Sequence, residues 1–391
     1  MADPRSPTPV NQPRVRMAKS QVYFIGLRTG TGRDIFAKLG KLLERAGFPD
    51  FVQENELVAL KLHFGEEGTT AYIHPQYVGF VAEQVKLRKA FPFLTDTNVL
   101  YGGSRANSVG HLNTAFAHGF SPLVTGASVI ISGGLRGQTS IEVEIGKKHF
   151  QSVKLASEIG DFDKLICLTH FTGHMATGFG GAIKNLGMGL AAKSGKLAMH
   201  STVVPVMDHD KCTGCGTCRK HCPADAIKLQ KREAGKGKFS VIDPSICIGC
   251  GECIATCPNG AVDIEWNESA QNLQEKICEH AYGVVKSKSP VFFLSFLINV
   301  TPGCDCMEFS DAHIVPDIGI LASFDPVAID QSSVDLVNQQ EGLPGTKLKT
   351  NTGRGEDKLI ALYPNIDWTV QLRYGEEIGL GSRDYELISV D

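Results

Sequence analysis

Two runs of cysteine constrain this chain more than anything else in it. The first reads Cys212-x2-Cys215-x2-Cys218-x3-Cys222-Pro223, and the second Cys247-x2-Cys250-x2-Cys253-x3-Cys257-Pro258. Together they hold eight of the 12 cysteines and form an internal repeat. A cubane iron–sulfur cluster needs four thiolates at the corners of a tetrahedron. Three closely spaced cysteines on one loop can wrap three irons, and the fourth iron takes its ligand from the other run. The spacing therefore predicts two 4Fe–4S clusters, one on Cys212, Cys215, Cys218 and Cys257, the other on Cys247, Cys250, Cys253 and Cys222. A pair of zinc sites would use cysteine pairs separated by a longer loop. Gly214, Gly216, Gly249 and Gly251 suit loops whose backbone must approach a cluster and turn N–H groups towards its sulfurs.

This stretch resembles a two-cluster bacterial ferredoxin. The chain around it is much longer, 391 residues in all, and its composition is that of an ordinary globular protein: 42% hydrophobic and 21% charged. That balance excludes the disordered and fibrous classes. A formal net charge of −3 leaves no global basic field for nucleic acid. No run approaches the ~18 apolar residues that would span a bilayer. The longest, Val291 to Val300, is interrupted by Ser295 and Asn299 and reads as a buried strand. Val22 to Leu27 is too short for the apolar core of a secretory signal. These features predict a cytoplasmic protein with oxygen-sensitive clusters, since in a reducing compartment grouped cysteines mean metal rather than disulfide. Residues 1–16, Pro-rich and polar ahead of a second Met at Met17, read as a disordered extension or an expression leader.

Outside the cysteine block, strands and helices alternate. Gln21 to Leu27, Leu57 to His63, Ala127 to Ser132 and Lys164 to Thr169 are apolar strands. Asp34 to Ala46 and Pro75 to Arg88 have helical spacing, with Pro75 in its first turn. After the block, Glu268 to Lys286 reads as a helix with Leu273, Ile277, Ala281 and Val284 on one face, and Val327 to Asn338 as another. This pattern predicts an α/β fold with a mostly parallel sheet, formed by residues 17–205 and 266–391. Residues 206–265 would be a small α+β ferredoxin-like insertion. Two α/β domains joined by the block are the alternative.

Several strand ends carry polar and glycine-rich segments, which is where open α/β sheets bind ligands. The candidates are Lys61, His63, Asp96, His170, His174 and Lys184, with Cys304 and Cys306 as a third metal or cluster site. The stretches LKLHFGEEG, PFLTDTNVLYGGSRANSVGHL, HFTGHMATGFGGAIKNLGMG, TPGCDC and DIGILASFDPVAID resemble the family called domain of unknown function 362, over roughly Met17 to Asn338 and in that family's order. In that family ferredoxin-like clusters sometimes interrupt the domain. The resemblance implies an iron–sulfur protein and supplies no reaction.

Cys304 and Cys306 lie two apart after Pro302-Gly303, so on an extended segment both sulfurs would face one ion. With His63, His170, His174 or an aspartate they would form a mixed sulfur, nitrogen and oxygen site; as redox-active or incidental thiols they would need no metal. Cys167 and Cys278 read as buried packing residues. Around Lys184 and Asn185, GFGGAIKNLGMG is neither a P-loop nor a dinucleotide fingerprint. It reads either as an anion or cofactor cradle or as a tight chain crossing. Eight Lys or Arg between Lys211 and Lys238 form a basic hairpin. It either offsets cluster charge or docks an acidic electron carrier of the ferredoxin or flavodoxin kind. The functions in view are an oxidoreductase or oxidoreductase component, an electron-transfer subunit without catalysis, and a metal or cluster maturation or scaffold protein. The excess of chain over the ~60 residues of a bare carrier favours a site in the α/β part. Oligomeric state is not legible here.

Overall fold

The computed structural model describes residues 19–200, 204–232, 237–247, 251–263 and 268–390. The 1–16 extension, Met17, Lys236, Gly249 and Cys250 lie outside the described residues.

Strand Lys164–His170 carries the continuous apolar run Leu165 to Leu168, Phe292–Leu297 is apolar at every position but Ser295, and all six residues of the second are buried. Such strands must be covered on both faces, which is the signature of a central, parallel pair. They are indeed neighbours in an eight-stranded sheet, parallel, with Cys167 opposite Phe293. The order across the sheet is Tyr385–Ser389, Ser20–Gly26, Gly319–Ser323, Phe292–Leu297, Lys164–His170, Leu57–Lys61, Phe91–Thr97 and Ser128–Ser132. Every pairing is parallel except the two made by Gly319–Ser323. One sheet thus draws strands from both sides of the cysteine block.

Side chains alternate between two apolar cores. Leu165, Cys167 and Phe293 enter one, and Ile166, Leu168 and Phe292 the other. The first core is covered by Ala270–Lys288 and Pro326–Asn338. Ser269 caps the longer helix through Asn272, and Leu273, Ile277, Ala281 and Val284 are buried along it. Asp325 caps the other by accepting from the N–H groups of Val327 and Ala328, so this aspartate serves the helix. The second core is covered by Ile35–Arg45, capped by Asp34, and by Pro75–Lys86, which begins on its proline. Cys167 and Cys278 are fully buried in the first core.

From Leu57–Lys61 the chain moves outward through Phe91–Thr97 and Ser128–Ser132. It then returns to lay Lys164–His170 on the opposite flank of Leu57–Lys61. Where the winding reverses, the carboxyl ends of neighbouring strands open a crevice. Lys61 and His170 stand at those ends.

The block contributes two small sheets, Val206–Met207 with Val262–Asp263 and Ile227–Lys231 with Lys238–Ile242. The second is the basic hairpin. Sequence reasoning passed over the edge strand Tyr385–Ser389 and the hairpin Ser140–Glu144 with Ser152–Ala156. The edge strand is half-exposed, and the buried residues of the hairpin, Val153, Leu155 and Ala156, fall in a short run broken by Lys154.

Candidate functional site

Cys222 of the first run and Cys247 and Cys253 of the second line one small pocket, closed by Ile227 and Ile242. Cys218 of the first run has Cys212 and, from the second run, Cys257 close by; burial pushes its thiol up and these neighbours add to it. The two runs are therefore interleaved. The Ala226 N–H donates to Cys222 Sγ at 3.3 Å and the Ala261 N–H to Cys257 Sγ at 3.2 Å, the same four-residue step in each repeat. The Ser240 N–H points at Cys212 Sγ from 3.4 Å. A sulfur-only donor set with N–H groups turned on it suits iron–sulfur chemistry, and the residues present fit that group. Cys215 is exposed.

The block is fastened to the α/β core at two points. Leu100 packs with Cys218, Cys253, Ile254 and Leu197 in a small apolar cluster. Gly251 has φ 69°, and a Cβ there would fall 2.4 Å from Leu100 Cδ1, so the contact requires glycine. Next to it, the buried Glu252 accepts from Arg136 at 2.7 Å and lies 3.5 Å from Lys193 Nζ. Sequence reasoning missed Leu100, Arg136, Lys193 and Glu252. A lone carboxylate inside a cysteine run was the only trace of this contact.

At the strand ends, the singled-out residues converge. Lys61 Nζ is 3.1 Å from Asp96 Oδ1 and donates to Asn185 Oδ1 at 2.6 Å, with neither charge exposed. Asn185 in turn donates to Leu168 O at 2.9 Å and Thr169 Oγ1 at 3.0 Å, tying the two strands at the crevice. Burial would raise the Asp96 carboxyl, but the Lys61 charge and His111 hold it well below the usual range. Arg105 donates to Glu66 at 3.1 Å, to Tyr101 Oη at 2.9 Å and to His63 Nε2 at 2.9 Å. The Gly65 N–H reaches His63 Nδ1 at 3.0 Å. Both ring nitrogens of His63 therefore face donors; burial and the Arg105 charge keep the ring neutral.

His170 is held the other way. Its nitrogens meet acceptors, Asp305 Oδ1 at 2.7 Å and Ile298 O at 2.8 Å. Burial opposes the charged ring, but the Asp305 carboxylate overcomes it and raises the pKa. His170 thereby pins the turn Cys304-Asp305-Cys306. That turn, rather than the extended segment expected, brings the two sulfurs together, and they are joined as a disulfide. Donor atoms of His174, Cys304 and Cys306 lie within 4.8 Å of one another. Burial, with the Lys184 charge, keeps His174 neutral, and burial lowers Lys184 itself to about 8. Lys184 Nζ is 4.0 Å from Cys304 Sγ, and Tyr101 Oη is 3.3 Å from the Cys306 carbonyl.

The glycine-rich stretch before Lys184 does not cradle an anion through its first helical amides. The N–H groups of Ala182 and Ile183 are taken by the buried Asp330 at 2.7 and 3.0 Å. A Cβ on Gly181 would fall 2.3 Å from that carboxylate, so the glycine serves a tight crossing.

A family described as Domain of unknown function (DUF362) matches residues 58–335. Short segments are similar to the "Methylamine utilization ferredoxin-type protein MauM". The identity is 56% over 36 residues for the protein of Methylophilus methylotrophus and 54% over 37 residues for that of Methylorubrum extorquens. Each alignment covers 9% of this chain and 16% or 17% of the relative, so the chain spans about a sixth of these proteins. Two solved structures show distant likeness. One is the lactate racemase apoprotein from Thermoanaerobacterium thermosaccharolyticum, with TM-score 0.35 and 12% identity over 66% of this chain and 48% of that one. The other is a protein from Thermotoga maritima, with TM-score 0.34 and 10% identity over 69% and 52%. Likeness that slight carries no assignment. No described helix is long and apolar enough to cross a membrane.

Proposed function

This chain belongs to the DUF362 family, and from that premise we propose that it is an iron–sulfur redox protein in which two 4Fe–4S clusters exchange electrons with a site at the strand ends of the α/β core. One observation carries the reading: Cys222 of the first run meets Cys247 and Cys253 of the second around a single cavity. In this reading Cys212, Cys215, Cys218 and Cys257 hold one cluster, and Cys222, Cys247, Cys250 and Cys253 the other. Bound clusters supply one-electron chemistry. Residues 206–265 then act as a ferredoxin-like unit set into an α/β unit of residues 17–205 and 266–391.

The chain's own residues do the rest. Leu100 touches the cysteine block, and its neighbour Tyr101 reaches the Cys306 carbonyl, so one short segment spans the two centres. Lys61, Asp96 and Asn185 hold the crevice rigid. His170 is a positioning residue because its ring donates at both nitrogens, and His63 is one because its neutral ring, which can accept at one nitrogen only, is held between Arg105 and the Gly65 N–H. His174 and Lys184 stand nearest the paired sulfurs, where a substrate would approach. The basic hairpin docks an acidic carrier, and the protein works in a reducing cytoplasm as an oxidoreductase or a component of one.

The test is metal analysis of anaerobically purified protein. It should be brown, carry about eight irons and eight sulfides per chain, and bleach on reduction. A colourless protein holding zinc on the two runs would overturn the reading.

A further inference from the structure

We infer that His174, Cys304 and Cys306 form a third metal site, for a divalent ion of borderline softness such as Zn²⁺, which opens when the Cys304–Cys306 bond is reduced. The inference rests on the electron-transfer reading for the place of the site and adds its ligand, its donor set and its control.

Three donors of the right kind meet here: two sulfurs and an imidazole nitrogen, mutually within 4.8 Å. Two thiolates and a neutral imidazole are a donor set that zinc takes up readily, and a three-residue set leaves the fourth tetrahedral position for water or substrate. The support around the donors is already in place. Thr177 Oγ1 gives its proton to the Phe179 carbonyl at 2.8 Å, so it accepts from His174 Nδ1 at 2.9 Å and leaves Nε2 the lone pair. The Ala176 N–H approaches the same Nδ1 at 3.2 Å, a longer contact that this tautomer does not use. Asp305, between the two cysteines, is occupied by His170 and does not compete for the ion. Lys184 Nζ, 4.0 Å from Cys304 Sγ, offers positive charge to the thiolate form.

The disulfide closes the site. Two sulfurs about 2.3 Å from one tetrahedral ion lie apart by well over a bond length, so the ion and the S–S bond exclude each other. Reduction by a water-soluble phosphine breaks the S–S bond and passes two electrons to sulfur. The phosphine takes the oxygen of one water, and two thiols result. The ion then binds both as thiolates and two protons leave.

The experiment counts metals in the full-length protein. Phosphine-reduced protein is incubated anaerobically with Zn²⁺ and desalted, and iron and zinc are measured in the same sample. One zinc per chain is expected beyond the unreduced protein, with iron unchanged. The double change C304S/C306S should abolish that zinc and spare the iron, and His174→Ala should lose most of it. Circular dichroism and the iron count show whether the variants are folded, and His174→Gln provides a milder replacement. No added zinc in reduced wild type, or equal zinc in the double variant, would overturn the inference. Loss of iron with retained zinc would instead strike the electron-transfer reading.

Discussion

The two places where sulfur gathers in this protein are built on opposite plans. In the cysteine block, thiols from two repeats line a cavity, and the groups turned on them are mostly backbone N–H donors. At the strand ends, Cys304 and Cys306 sit beside a buried network in which Lys61, Asp96, Glu66, Arg105, His63 and His170 are nearly all partnered. The first region brings donors together and, in the proposed reading, gains its remaining order from the metal it holds. The second is fixed by ion pairs and hydrogen bonds before any ligand arrives, as a site that must orient a reacting group needs to be. In that reading a single chain contains one centre that its cofactor orders and one that the fold prepares in advance.

The largest effect should come from the second plan. Asp96→Ala leaves the buried charge of Lys61 without its carboxylate and should cost about 3–5 kcal/mol of stability, measured by urea unfolding. A loss under about 1 kcal/mol would mean that the strand ends are not preorganised. The matching change in the block, Cys253→Ala, should remove about half the iron and move the unfolding of the sheet much less. If the sheet unfolds together with the lost cluster, the two plans are not separable.

A subtler test concerns pH. His170 has a folded pKa raised above its unfolded value, so its contribution is complete below about pH 6.5 and is lost as pH rises through the folded value. Urea unfolding between about pH 6 and 9 should show stability falling with this component in wild type, and His170→Asn should remove it. An unchanged slope in the variant would deny His170 its hold on the Cys304 turn. The smallest effect on folding is expected at the hairpin. Reversing Lys228, Lys231 and Lys238 should change stability by less than about 0.5 kcal/mol, while electron exchange with an acidic carrier slows and loses its salt dependence. Exchange unaffected by salt in wild type would make the hairpin a solvated face.

The mostly parallel α/β sheet and the helices bearing Leu273 and Val327 were legible because period and apolar run length are local properties of a sequence. The strand-end candidates were legible too, as polar residues following apolar strands. What they do there was not. Nothing in the order of residues says that His63 meets donors at both nitrogens while His170 meets acceptors, since Arg105 and Asp305 arrive from distant segments. The joining of Cys304 to Cys306 likewise depends on a turn that His170 pins from another strand. Glu252 could not be understood from its own run, because its partners Arg136 and Lys193 belong to the core.

That last contact bears on how such chains could be cut and recombined. Read along the sequence, residues 206–265 look like a cassette that could be removed or exchanged at its ends. In space Cys218, Glu252, Cys253 and Ile254 sit in a socket made by Leu100, by Arg136 and by Lys193 and Leu197 of one helix, three separate segments of the core. Excision would bare two buried leucines and remove the carboxylate that faces two cations. A transplanted block would need that socket rebuilt around it, so the unit of exchange is the block together with those four residues.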